Sequence, residues 1–193
     1  MWIQYVKQVQ DTLVQLRATG HDGATVEMED AFERWVALAL NLDSNGSIHL
    51  IGNGASASMA SHFAADITKN CRIRANVFTD CALVTALAND HGYDNAYAVA
   101  LSRYARQGDL LVAISSSGES PNILRACEQA RQMNVGIVTL SGKAPGNSLR
   151  AVGCLNLYIP AESYSLAESG HAVFLHHWTD RLEAACGTGR KQT

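Results

Sequence analysis

Apolar residues recur at helical spacing near the start of the chain and in strand-length blocks after it. Trp2, Ile3, Val6, Val9, Leu13 and Leu16 follow three- and four-residue steps and predict one long amphipathic helix. The pattern returns over residues 26–42 (Phe32, Trp35, Val36, Leu38, Ala39, Leu42), and the polar turn Asp43-Ser44-Asn45-Gly46 ends it. Five short apolar runs follow, at residues 48–51, 77–78, 110–114, 136–140 and 154–159, separated by helical stretches. They are partly β-branched and bounded by Gly, Ser or Asn, as expected of buried parallel strands joined by crossover helices. A closing helix is predicted over residues 165–185, and the tail GTGRKQT is expected to fray. With no repeat or linker, the chain reads as one domain. Its parts are N-terminal helices to residue 45, an α/β core with the closing helix over 46–187, and a tail at 188–193.

Composition narrows the function classes. Of 193 residues, 47% are hydrophobic and 17% charged, which is enough apolar surface for a large core and too little charge for disorder. Lys and Arg total 15 against 18 Asp and Glu, a net charge of −3, so neither a nucleic acid nor an anionic membrane is an expected partner. No apolar run is long enough to span a bilayer, and MWIQYVKQVQ lacks the features of a signal peptide. Five scattered cysteines (71, 81, 127, 154 and 186) form no CxxC pair, so a reduced, cytoplasmic chain is expected.

An open parallel sheet takes its ligand at the carboxyl ends of its strands, and polar residues follow the apolar runs here. After residues 110–114 comes Ser115-Ser116-Ser117-Gly118-Glu119-Ser120-Pro121-Asn122. Ser120 suits an N-cap, Pro121 the first helical position and Gly118 a tight turn. A helix N-terminus surrounded by hydroxyls favours a phosphate, although a capped turn with solvent-facing serines has the same composition. Gly52-Asn53-Gly54-Ala55-Ser56-Ala57-Ser58 is a second strand-to-helix loop that matches neither GxGxxG nor GxxxxGK[ST]. Asn53 and Ser56 stand between sugar binding and simple capping, and Asn89-Asp90 between hydroxyl binding and a turn.

His62 and Asp66 are four residues apart and share a helix face. Glu168, His171, His176 and His177 cluster on the closing helix. Imidazole with carboxylate suits zinc or a similar divalent ion, and equally a surface hydrogen bond. Glu168 and His176 lie about 12 Å apart along a straight helix. They can share an ion only if the helix begins after Glu168 or if different subunits supply them. His177 points about 100° away from His176 and is expected to pack or face solvent.

Taken together, GNGASASMASHFAAD, TALANDHGY, ISSSGESPNIL, LSGK and ESGHAVFLHH resemble the sugar isomerase (SIS) domain family, and within it the phosphoheptose isomerase group. The resemblance runs through nearly the whole chain. It implies a three-layer α/β/α sandwich around a five-stranded parallel sheet with extra N-terminal helices, and a homotetramer with sites between subunits. It also implies a bound zinc ion held by His62, Asp66, Glu168 and His176. Substrate contacts would come from Asn53, Gly54, Ala55, Ser56, Asn89, Asp90, Ser115, Ser116, Ser117, Ser120 and Glu168. The implied reaction converts sedoheptulose 7-phosphate to D-glycero-D-manno-heptose 7-phosphate through a metal-assisted enediolate, with Asp66 as base and His176 as acid. The chain departs from the family pattern at three positions: Asp66 replaces a Glu, Glu168 a Gln, and Asn70 an Arg beside Lys69. Two alternatives remain open. One is a non-catalytic phosphosugar-binding or interaction protein, of the kind that associates with a replication initiator. The other is an isomerase of another sugar phosphate.

Overall fold

A computed structural model describes residues 1–187. Residues 188–193, most of the tail expected to fray, lie outside the described residues. In chain order the elements are α1 (Trp2–Leu13), β1 (Arg17–Gly20), β2 (Thr25–Val26), α2 (Met28–Leu40), β3 (Ser47–Gly52), α3 (Ala55–Asp66) and β4 (Arg74–Val77). Then come α4 (Cys81–His91), α5 (Ala96–Tyr104), β5 (Leu110–Ser115), α6 (Pro121–Gln132), β6 (Gly136–Gly142), β7 (Leu155–Ile159) and α7 (Tyr164–Ala185). A π-helical turn, Ile67–Cys71, continues α3, and a 3₁₀ turn, Ser148–Ala151, follows β6.

The sheet order is β2-β1-β7-β6-β5-β3-β4. The five strands β7 to β4 are parallel, as the apolar runs predict. The sheet nevertheless has seven strands, because β1 pairs antiparallel with both β7 and β2. The N-terminal region is therefore helix, hairpin, helix, and not helices alone. The helix expected to include Leu16 ends at Leu13. The turn that follows β1 carries its own chemistry: Ala24 N donates to Asp22 Oδ1 at 3.0 Å, and Gly20 N to Ala24 O at 2.9 Å. Val26 joins this hairpin, so α2 starts two residues later than its apolar stripe.

Strand β5 shows why its sequence is continuously apolar. Leu110, Val112 and Ile114 face the layer of α2, α3 and α7, while Leu111 and Ala113 face the layer of α5 and α6. In the first layer Trp35 of α2 stacks on Trp178 of α7, with ring centroids 4.2 Å apart. Gly170 brings α7 onto β7, since a Cβ there would stand 1.9 Å from Ile159 Cδ1. At the sheet edge opposite the ligand loops, buried Asp109 accepts from Ser47 N and faces His49 Nε2 at 3.0 Å, pinning β3 to β5. Helices α3 and α7 both leave the carboxyl edge of the sheet and pack on one another, which sets the candidate site between them.

Candidate functional site

The serine loop begins as β5 ends. Ser115 Oγ is its hub: it accepts from Gly118 N at 3.2 Å and lies 3.2 Å from Ser120 Oγ and 3.5 Å from Ser117 Oγ. Ser120 begins α6 but turns its hydroxyl to this hub, so no side chain caps the helix. Pro121 has no N–H, and Ile123 N donates to Ser120 O at 3.1 Å, so within the first turn it is the Asn122 N–H that faces a ligand or solvent. Ser116 Oγ is buried without a hydrogen-bond partner. Gly118 has φ +69°, and a Cβ there would collide with the Asn147 side chain at 2.0 Å. From the adjoining turn, Ser148 donates through its backbone N (2.7 Å) and Oγ (2.8 Å) to the Glu119 carboxylate, holding it outside the loop.

A polar cavity of about 120 Å³ opens against this loop, walled by Ser115, Ser116, Ser117, Ser120, Asn53, Ser56, Tyr164 and Glu168. Asn53 exchanges two hydrogen bonds with Asn122, at 2.9 and 2.8 Å, and its Oδ1 also accepts from Tyr93 OH at 2.9 Å. Its amide oxygen therefore ties the start of α3 to Asn122 and Tyr93, a role beside the sugar binding and capping between which the sequence left it. Tyr97 OH donates to Gly52 O at 2.5 Å, and burial pushes its phenol up to about 12, so it stays a donor. Gly54 and Ala55 make the turn into α3 and line neither this cavity nor the larger one described next. Asn89 and Asp90 end α4, exposed and bonded to each other at 2.8 Å, and line neither cavity.

Further along α3 and α7 lies a second cavity, of about 690 Å³, which His62, Asp66, Lys69 and His176 line. Asp66 Oδ2 stands 3.4 Å from His62 Nε2, and Lys69 Nζ reaches Asp66 Oδ1 at 3.2 Å. The His62 and His176 rings are 5.8 Å apart, and the edge of Phe63 separates His176 from the core at 4.7 Å. Cys71 also lines this cavity, and burial and the neighbouring Cys186 push its thiol up to about 12. His177 packs its ring edge-on against Phe32 at 4.6 Å, away from the cavity, as its position on the helix predicts.

The structure thus brings His62, Asp66 and His176 to one cavity and Glu168 to the other. Helix α7 begins at Tyr164 and runs unbroken through both Glu168 and His176. A helix starting after Glu168 is therefore excluded as the way for these two residues to meet. Two imidazoles and a carboxylate fit a zinc ion in kind. Among the described residues, however, no three His, Cys, Asp or Glu side chains are already gathered into a ligand set. Tyr164, Tyr93 and Asn122 were not singled out from the sequence. Tyr164 was accessible by position alone, since it opens the helix that follows the last strand.

Comparisons with known proteins bear on the family and the fold. The SIS domain model matches residues 4–142. A phosphoheptose isomerase from Campylobacter concisus is 36% identical over 146 residues, 72% of this chain and 76% of that protein. One from Citrifermentans bemidjiense is 32% identical over 164 residues, covering 81% and 85%. The structure of phosphoheptose isomerase from Neisseria gonorrhoeae superposes with a TM-score of 0.78 at 26% identity, over 94% of each chain. No described helix is long and apolar enough to cross a membrane.

Proposed function

Because this chain belongs to the SIS-domain family, we propose that it is an aldose–ketose isomerase of phosphorylated sugars, acting on sedoheptulose 7-phosphate to give D-glycero-D-manno-heptose 7-phosphate. The observation that carries the reading is the pairing of two cavities along α3 and α7. One has neutral donors and an uncapped helix suited to a phosphate, and the other has a carboxylate and two imidazoles suited to proton transfer. The phosphate group is held by Ser115, Ser116, Ser117 and Ser120, with Ser56 and Glu168 facing the adjoining hydroxyls. Asp66 removes the proton from the carbon next to the carbonyl, and His176 donates a proton to the carbonyl oxygen. Asp66 then returns its proton to the neighbouring carbon while the hydroxyl on the first carbon gives its proton back to His176 and becomes the aldehyde carbonyl, which completes the isomerisation. His62 and Lys69 flank the Asp66 carboxylate and fix its direction.

The proposal extends to zinc, with His62, Asp66 and His176 as its residues in one chain. When bound, the ion supplies positive charge against the negative charge developing on the substrate oxygens. Glu168 would join it only from another copy, which agrees with a homotetramer whose sites lie between subunits.

The test is an aldose–ketose assay over five- to seven-carbon sugar phosphates, combined with elemental analysis. We expect zinc and turnover in the unsubstituted protein and loss of both in His62→Ala and His176→Ala. Glu168→Gln, which keeps a neutral oxygen donor, should retain both. Zinc without turnover of any sugar phosphate would select the non-catalytic phosphosugar-binding alternative. Full activity after exhaustive chelation would remove the metal from the proposal.

A further inference from the structure

The serine cavity has a charge imbalance. Among the residues lining it, the one charged side chain is Glu168, an anion. A phosphate dianion seated there would face hydroxyls, backbone N–H groups and a like charge, with no cation in the wall. Two other cations are committed: Lys69 pairs with Asp66 in the other cavity, while Arg150 covers the Tyr158 ring and donates to Pro145 O.

Lys143 is placed differently. It follows directly on the end of β6, at the carboxyl edge of the sheet, with φ +60°. That left-handed conformation is uncommon for a residue bearing a Cβ, and surrounding contacts must hold it. One such contact is visible, since the Lys143 carbonyl accepts from Tyr158 OH at 2.7 Å. The side chain then lays its ammonium over the face of Tyr164, 4.0 Å from the ring centroid. Tyr164 is itself a wall of the serine cavity. The ring therefore holds a positive charge at the cavity rim, on the element that also carries Glu168. Lys143 is partly exposed and has no carboxylate partner among the described ion pairs.

We propose that Lys143 is the charge-complementing residue of the anion site, held ready by Tyr164 and swung or leaned onto the phosphate when the ligand binds. This rests on the reading of the serine cavity as a phosphate site and adds to it the source of positive charge. An ammonium on a flexible four-carbon stem suits this role, because it can leave a cation–π contact for a dianion at little conformational cost.

The experiment is titration calorimetry with three probes: sedoheptulose 7-phosphate, inorganic phosphate and unphosphorylated sedoheptulose. Lys143→Gln should weaken the first two by at least about tenfold, the scale of one charge-assisted contact, and leave the third unchanged. Lys143→Arg should recover most of the loss. Tyr164→Leu provides a second variant that leaves the lysine and its backbone intact, and it should weaken the same two probes by a smaller factor. Equal affinities in Lys143→Gln and the unsubstituted protein would overturn the assignment of Lys143 alone. So would an equal loss for all three probes, which marks a structural role. If neither phosphate probe binds the unsubstituted protein, the cavity is not a phosphate site and the reading beneath the inference fails.

Discussion

Ser117 and Ser120 differ from Ser115 in a way that matters for ligand binding. Ser115 Oγ is occupied as the acceptor for Gly118 N and as the hub of the loop, so its removal would disturb the backbone. Ser120 Oγ leans on that hub at 3.2 Å and Ser117 Oγ at 3.5 Å; neither caps α6, and the bond that Ser117 Oγ accepts from Glu119 N at 3.2 Å is exposed, unlike the buried one at Ser115. Replacing both by alanine should leave the fold intact and weaken binding of a phosphorylated sugar by one to two orders of magnitude, as expected for two lost contacts to a charged group. The unphosphorylated sugar should be little changed. Isothermal titration of the pair of sugars reads this directly, and equal losses for both would contradict the assignment. At this scale the local geometry of the loop was legible in the sequence, because neighbouring residues decide it. The buried run, the turn at Gly118 and the start of α6 at Pro121 stand where the serine-rich sequence put them. Asn53 was less legible, because its role depends on Asn122 and Tyr93, which no local spacing connects to it.

Among the elements, α1 divides its apolar residues between two faces. Tyr5, Val9 and Leu13 pack on the core, whereas Trp2 is 73% exposed, Ile3 64% and Val6 42%. A tryptophan and an isoleucine side by side on open surface are suited to burial against another copy of the chain. If the chain forms the proposed homotetramer through this surface, charge at both positions (Trp2→Glu with Ile3→Glu) should reduce it to a smaller species without loss of helicity. Multi-angle light scattering with circular dichroism would check this, and a monomeric unsubstituted protein at micromolar concentration would refute it. The single amphipathic stripe was visible in sequence, but its division was not, since periodicity reports a face and not what covers it. The hairpin β1–β2 escaped for another reason. Four residues and two residues carry too little alternation to register as strands, and the pairing of Ala18 with Leu157 spans most of the chain. The five parallel strands were legible because burial on both faces makes them continuously apolar.

For the molecule as a whole, His171 ties stability to acidity. It is fully buried, neither ring nitrogen has a well-formed hydrogen bond, and burial drives its imidazole down to about 4, with the nearby Ser141 carbonyl acting weakly the other way. The ordinary value near 6.5 applies once the chain unfolds. Between pH 6.5 and 4 the unfolded state therefore binds a proton that the folded state does not. Stability is undiminished by this group above about 6.5 and falls as the solution is acidified toward 4, by roughly 3 kcal/mol in all. Urea unfolding at pH 7 and pH 4.5 should show the decline, and His171→Leu should flatten it. An unchanged pH dependence in that variant would remove His171 as the cause.

The shared course of α3 and α7 makes the pair a ruler. From Ser56 to His62 is about 9 Å of helix and from Glu168 to His176 about 12 Å, at 1.5 Å per residue. On the proposed function, the phosphate-side and proton-transfer groups are therefore offset by that rise along the helices. A ligand gripped by its phosphate presents its far carbons to Asp66 only if its backbone is long enough to bridge that interval. A five-carbon ketose phosphate should accordingly bind nearly as tightly as a seven-carbon one yet turn over far more slowly, a difference carried by kcat and not by affinity. Selection among sugar phosphates would then be a matter of length, set by where two helices start, before any hydroxyl is recognised.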